Sequence, residues 1–380
     1  MALPALAEPV PTADPAERLR PPQRTPRRES LVVQTSFLGD VVLTTPLIAE
    51  LARRGPVDVV VTPGAAPLLA NNKAIRHLFV DDKRGGRRGP AGVWRTASEI
   101  RYRTVGPHRL RRAAARVAYL AQGSVRSAVL ARLAGYGELV GFDTSAGRLL
   151  YTRRVPYCRD QHHSERLWHL AFPFQHDVSV DVRKLRPRLY PSRSDAAAVD
   201  AILAAAGFGG SDAARLVALA PGSIWGTKRW PYYAELARRI APRFRLAVIG
   251  GPDDGVAARQ IIDAVAELGS DRKVVDTTGK LSLLGSAVLI GRAQALVTND
   301  SLPQHLASAT GTPTITVFGP TVPEFGFGPL APRSATAGLD VLPCRPCHHH
   351  GPERCPLGHW RCMRDLDAGR VDELLATITG

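Results

Sequence analysis

The sequence predicts an α/β protein made of two doubly wound parallel-sheet domains that face a cleft. Three observations carry this. From residue 30 onward short apolar runs alternate with helical stretches, the pattern of parallel strands joined by crossover helices. The alternation breaks at a proline- and arginine-rich stretch, 180–195, and then restarts. The chain has 380 residues, 44% of them hydrophobic, enough for two ordinary cores.

Residues 1–28 are rich in proline, with acids early, arginines late and no apolar stretch between. They read as a disordered lead and not as a secretory signal, so the protein is expected in the cytoplasm. The first domain is expected over 29–185. Strands are expected at 31–35, 57–61 and 77–80, helices at 41–54 and 64–71, a helical pattern from 109 to 133, and final strands at 139–142 and 149–155. The second domain is expected over 186–380. Its strands read as 216–220, 246–250, 274–276, 295–298 and 314–318, and its helices as 232–240, 256–268, 281–292 and a short one ending at 309. The C-terminal helix is expected to pack back on the first domain. No apolar run approaches the roughly 20 residues of a membrane helix, which argues against an integral membrane protein.

The net charge is +16, and the segment from Lys83 to Arg126 holds twelve Lys or Arg against one acid, Glu99. Such a field attracts anions: nucleic acid, phosphorylated headgroups or a phosphorylated substrate. A plain solvated helix face gives the same composition.

Neither the dinucleotide fingerprint G-x-G-x-x-G nor the P-loop motif is present. Three loops after second-domain strands offer another way to hold phosphate. In Thr298-Asn299-Asp300-Ser301-Leu302-Pro303-Gln304-His305 a strand gives way to a helix, with Ser301 and Gln304 spaced as a capping box and Pro303 in the first turn. A helix start at a sheet's carboxyl edge is where anions bind. Pro221-Gly222-Ser223 with Lys228-Arg229, and Phe318-Gly319-Pro320-Thr321, end two further strands at the same edge.

Taken in order, these segments resemble the ADP-heptose:lipopolysaccharide heptosyltransferases, glycosyltransferase family 9. The resemblance runs from about residue 30 to the C-terminus. It rests on the opening Gln34-Thr35-Ser36-Phe37-Leu38-Gly39-Asp40 through Thr44-Thr45-Pro46, on the three loops above, and on Cys344-Arg345-Pro346-Cys347 with Cys355-Pro356-Leu357-Gly358-His359. It implies a GT-B architecture of two Rossmann-like domains, the first binding acceptor and the second the sugar nucleotide. It also implies metal-independent, inverting transfer of a heptose from ADP-heptose to the lipopolysaccharide inner core, with no cofactor beyond the donor. Carried over by position, Asp40 is the expected base and Lys228 the phosphate-contacting lysine. Asp300, Ser301 and His305 fall on the donor motif. One departure is Leu302, where the family usually has Gly.

Donor contacts are therefore expected at Ser223, Lys228, Asp254, Asp300, Ser301, Leu302, His305 and Thr321, and acceptor contacts at Ser36, Gly39, Arg84, Arg87 and Arg88. Asp40 has a competing reading as an N-cap of the helix that follows, which would lower its pKa. His305 also reads as an ordinary helix histidine, and Asp253 and Asp254 as first-turn acids. His163, Glu165 and Arg166 are possible cleft residues. The basic segment is expected to meet an acidic, lipid-anchored acceptor and the anionic inner-membrane surface. Cys344, Cys347, Cys355 and Cys362 have the look of a zinc site, but the last pair is spaced C-x6-C, so a reduced packing cluster without metal is expected. Two alternatives remain: a GT-B transferase of the same family with another nucleotide sugar or acceptor, and a basic nucleic-acid-binding protein. Few aromatics interleave the basic segment, which argues against the latter.

Overall fold

The computed structural model describes residues 28–105, 116–172, 180–208, 215–269 and 274–380. The leading residues 1–27 thus lie outside the described residues, as do 106–115 of the basic segment.

Strands β1 (Glu29–Val33), β2 (Val57–Val61), β3 (Ile75–Val80), β4 (Arg116–Leu120), β5 (Glu138–Phe142) and β6 (Arg153–Val155) form one sheet in the order β3-β2-β1-β4-β5-β6. Strands β7 (Leu216–Ala220), β8 (Arg245–Val248), β9 (Val274–Asp276), β10 (Ala295–Asn299), β11 (Thr314–Val317) and β12 (Ala335–Ala337) form a second, in the order β12-β11-β10-β7-β8-β9. Every pairing is parallel. The central strands are buried along their whole length, as the Val- and Leu-rich runs of a sheet covered on both faces should be. In the first sheet the winding reverses between β1 and β4, and in the second between β7 and β10. Ligands of such sheets bind where the winding reverses, beyond the carboxyl ends of the strands.

The sequence reading departs from the structure in several places: the helices Gly89–Val105, His163–His169 and Arg193–Ala205 went unread, and the strand expected at 149–155 is only Arg153–Val155. Residues 116–120, expected within a helix from 109 to 133, are a buried central strand, and among the described residues of that stretch only Val125–Leu133 is helical. Arg116 enters that strand because both terminal nitrogens of its guanidinium find acceptors inside. It donates to Thr104 Oγ1 and to the carbonyls of Ala134 and Gly135, pairs with Glu29 and lies 4.0 Å over the Tyr136 ring. Nor does the C-terminal helix Ala368–Thr379 pack on the first domain. Its stripe of Val371, Leu375 and Ile378 is buried with Val297 and Ile315 of the second sheet. Finally, β12 went unread, being three residues long with Thr336 exposed and only Ala337 buried.

The two domains meet through the helix Leu38–Ala52, which contacts the helix Leu302–Thr310. They also meet where 323–330 passes beside the first domain. There His162 Nε2 lies 3.0 Å from the Gly328 carbonyl, and Arg166 Nη1 donates to the Phe325 carbonyl at 3.0 Å.

Candidate active site

Both sheet reversals open into one cleft of about 390 Å³, a size suited to a small ligand. The first domain presents Ser36, Gly39, Asp40, Gln122 and Gly123 to it, beyond β1 and β4. The second presents Ser223, Lys228, Asp300, Ser301, Leu302 and His305, beyond β7 and β10.

Asp40 sits in the first turn of the helix Leu38–Ala52. The N-cap is Phe37, so the capping role considered for Asp40 is not the one it plays. Its backbone carbonyl accepts from Thr44 Oγ1 at 2.7 Å, and Thr44 in turn accepts from Gln34 Nε2 at 3.2 Å. Pro46 removes the amide that would have bonded the Val42 carbonyl, and the Thr45 hydroxyl replaces it at 2.7 Å. The helix thus stays intact beneath the carboxylate. Ser36 Oγ donates to Asp40 Oδ2. Burial raises the Asp40 pKa above the ordinary carboxylate value despite that bond and the nearby His305 and His350. A raised value makes the carboxylate a better proton acceptor, the reverse of what a cap would do.

Across the cleft Lys228 Nζ lies 2.5 Å from Asp300 Oδ2 and 3.3 Å from the Asp300 carbonyl. Thr321 Oγ1 donates to the same carboxylate oxygen at 2.7 Å, and Gln304 Nε2 to the other at 3.0 Å. Asp300 therefore holds the lysine at the cleft wall, and Thr321 holds Asp300 without lining the cleft itself. Gln304 is spent on Asp300, so the expected capping box does not form: Ser301 is the N-cap residue, yet no side chain caps the helix Leu302–Thr310. The Ser301 hydroxyl turns to the carbonyls of Gly222 and Asn299, 3.4 Å from each. An uncapped helix start beside a lysine is a site for a diphosphate.

His305 belongs to the second domain, but its imidazole lies against Gly39 of the first: a Cβ on Gly39 would come within 2.7 Å of the ring. Burial lowers its pKa to about 4, and lowers those of His163 to about 3 and His162 to about 4. All three are neutral near pH 7. His163 lines the cleft, stacked 4.8 Å from Phe327. Glu165 accepts from the Val180 amide, and Arg166 braces the Cys158, Arg159 and Phe325 carbonyls, so neither lines it.

Four other expected contacts lie elsewhere. Asp254 seats its carboxylate against Gly222, where a Cβ would come within 2.4 Å of its oxygens, and accepts from the Gly251 amide at 2.8 Å. Arg87 is committed to Glu99 at 2.7 Å and to Thr96. Arg84 and Arg88 are exposed outside the cleft lining.

Sequence reasoning missed several residues. Asn299 is fully buried. Its Nδ2 donates to the Pro221 carbonyl at 2.7 Å, while its Oδ1 accepts from the Trp230 amide and the Tyr233 hydroxyl, fixing the loop that carries Lys228. Its place beside Asp300 in the strand–helix turn was the available signal. The aromatic walls were also missed. The His350 ring lies 5.5 Å from that of Phe37 and 6.5 Å from that of Trp225, so it spans the two domains, and Tyr157, Phe325 and Phe327 add to the lining. The loop bearing His350 is tied to the lysine loop where the Gly226 amide donates to Glu353 and the Thr227 amide to the Pro352 carbonyl. Behind it Cys344, Cys347, Cys355 and Cys362 are free thiols around a small cavity of about 50 Å³. Among the described residues no three His, Cys, Asp or Glu side chains are arranged to hold a metal ion.

The model of one family, described as glycosyltransferase family 9 (heptosyltransferase), matches residues 106–359. The chain belongs to that family. It is a glycosyltransferase, and the GT-B fold expected from the sequence is the one observed. The lipopolysaccharide heptosyltransferase 1 of Pseudomonas aeruginosa is 30% identical over 330 residues, covering 83% of this chain and 85% of the relative. The lipopolysaccharide heptosyltransferase 2 of Salmonella typhimurium is 26% identical over 312 residues, covering 78% and 84%. Among solved structures, a family 9 glycosyltransferase from Veillonella parvula superposes with a TM-score of 0.76 at 19% identity, covering 93% of this chain and 97% of that one.

Proposed function

We propose that this family 9 enzyme transfers a heptose from ADP-heptose to the inner core of lipopolysaccharide by a metal-independent inverting displacement. The observation that carries the mechanism is the placement of one carboxylate, Asp40, and one ammonium, Lys228, on opposite walls of a single cleft. Asp40 takes the proton of the acceptor hydroxyl as its oxygen attacks the anomeric carbon. The bond to the diphosphate breaks on the far side, and the configuration inverts. Lys228 and the amides at the uncapped start of the helix Leu302–Thr310 meet the charge that grows on the departing ADP. Donors of this kind, fixed in advance, are typically worth a few kcal/mol each in the transition state. Asp300, with its two further hydrogen bonds, keeps Lys228 from swinging away between turnovers. Ser223, Ser301 and Leu302 shape the donor side, and Ser36 and Gly39 the acceptor side.

The donor class is supported by the family relatives, heptosyltransferases by name. The acceptor is lipid-anchored and acidic, which puts the enzyme in the cytoplasm against the inner face of the inner membrane. No helix among the described residues is long and apolar enough to cross a membrane. Leu302 at the donor wall favours checking a second reading, a different nucleotide sugar.

The test is incubation with ADP-heptose and two defined acceptors, one lacking heptose and one carrying a single heptose, following ADP release and product mass in chelator. Product from one acceptor identifies the step. Turnover that needs an added divalent ion, or that prefers a UDP- or GDP-sugar, overturns the reading.

A further inference from the structure

The outer layer of the first domain carries a surface that the transfer reaction leaves unused. The helices Gly89–Val105 and Val125–Leu133 lie side by side over one face of the first sheet, their inner side chains buried in a common cluster with Ile100 and Leu130. Their outer sides carry exposed apolar and aromatic side chains. Val125, Val129 and Leu133 stand four residues apart, which puts them in one row along the helix, and all three are exposed. Beside that row the turn Arg148–Leu150 presents Leu149, 80% exposed, and Leu150. The turn is held there by Arg132, which donates to the Leu150 carbonyl. On the neighbouring helix Trp94 is 63% and Tyr102 80% exposed, eight residues apart and so on adjoining parts of one face.

Arg95, Arg101 and Arg148 are exposed among these side chains. The one acid of these elements, Glu99, is already engaged by Arg87 at 2.7 Å. An apolar ridge flanked by arginines, with aromatic rings between, suits one surrounding above others. Aliphatic tips and rings enter the boundary between headgroups and acyl chains, while guanidinium groups on long stems stay with anionic phosphates.

We propose that this face, built from 94–102, 125–133 and 148–150, docks the enzyme on an anionic lipid bilayer. Its position fits the proposed lipid-anchored acceptor, on which this part of the inference rests. Gln122 and Gly123 line the cleft, and Val125 begins the ridge two residues later. The helix starts at the carboxyl edge of the sheet and runs away from the cleft mouth, so a sugar tethered to the bilayer reaches the cleft while its lipid stays embedded.

The test is flotation of the full chain with vesicles of phosphatidylcholine alone and of phosphatidylcholine mixed with phosphatidylglycerol, without acceptor. The wild type floats with the anionic vesicles, less so in added salt. Two variants at exposed positions, Val129→Asp with Leu149→Ser and Arg95→Glu with Arg101→Glu, each lose about tenfold or more of that binding while melting at the wild-type temperature. Activity on a delipidated, water-soluble acceptor is followed in parallel and stays unchanged in both variants. The proposal fails if the wild type does not float, or if either variant floats as the wild type does. It also fails if the wild type is a lipid-free dimer that Val129→Asp with Leu149→Ser converts to monomer, or if an oligonucleotide displaces the protein from vesicles and depends on the ridge in the same way. Absence of wild-type activity on the soluble acceptor refutes the acceptor reading alone and leaves the vesicle result standing.

Discussion

Gly39 and His305, 266 positions apart in the chain, meet face to face across the two domains: a methyl group on Gly39 would come within 2.7 Å of the imidazole Cδ2. The helix that carries the proposed base and the helix that faces the leaving group are therefore set against each other at a point with no spare room.

Gly39→Ala forces the His305 ring or the whole helix to yield. Turnover falls at least about tenfold, with overpacking costing roughly 1–3 kcal/mol of stability. If the clash is the cause, adding Gly39→Ala to a His305→Ala background changes neither kcat nor melting temperature further. A full double-mutant cycle of steady-state rates and thermal melts checks this.

Asp40→Asn keeps the shape of the carboxylate and removes its basicity. The expected loss in kcat is about 10² to 10⁴, with donor affinity retained. Burial raises the Asp40 pKa, and the Ser36 hydrogen bond works against that rise. The acid limb of kcat/KM therefore lies above the ordinary carboxylate value, and Ser36→Ala moves it to still higher pH. A pH–rate profile that is unmoved by Ser36→Ala contradicts the assignment.

Lys228 and Asp300 form a pair whose side chains are each only 10% exposed. Removing one partner of such a pair strands the other charge, so Asp300→Ala costs roughly 3 kcal/mol in denaturant unfolding. Lys228→Met removes the cation at the leaving group. It lowers kcat by about 10² to 10³ if the lysine acts in the transition state. Calorimetric ADP affinity separates this from simple loss of binding.

His162, His163 and His305 have folded pKa values lowered to about 4, 3 and 4 by burial. The unfolded chain takes up protons near pH 6.5 that the folded chain refuses, so acidification favours unfolding. Stability falls as pH drops from about 6.5 toward 4, by up to about 1.4 kcal/mol per pH unit for each histidine. Urea midpoints measured across that range show the slope, and His163→Phe makes it shallower.

Much of the scaffold was legible in the chain because buried parallel strands are short runs such as Val57–Val61 and Leu216–Ala220, set apart by polar loops. The strand at Arg116–Leu120 was not. An arginine followed by Val-Ala-Tyr-Leu in an alanine- and arginine-rich stretch has helical propensity, and only the waiting partners Thr104, Glu29 and Tyr136 make a buried strand of it. Three arginines of the basic segment are likewise taken up inside the domain, which no local pattern signals. Arg87, Arg116 and Arg126 are tied to Glu99, Glu29 and Asp81.

By itself the sequence determined the α/β alternation and most strands of both domains, the loops that end at the carboxyl edges, and the residue types those loops carry, Asp40, Lys228 and Asp300 among them. Such features depend on neighbours close in the chain, where propensity and pattern act. Only the tertiary structure decided that Asp300 grips Lys228 while Thr321 and Gln304 hold Asp300, that Asp254 turns to Gly222 and away from the cleft, and that Asp40 is a buried carboxylate with a raised pKa. Pairing and desolvation are set by groups that folding brings within a few ångströms from far along the chain, and no local pattern encodes them.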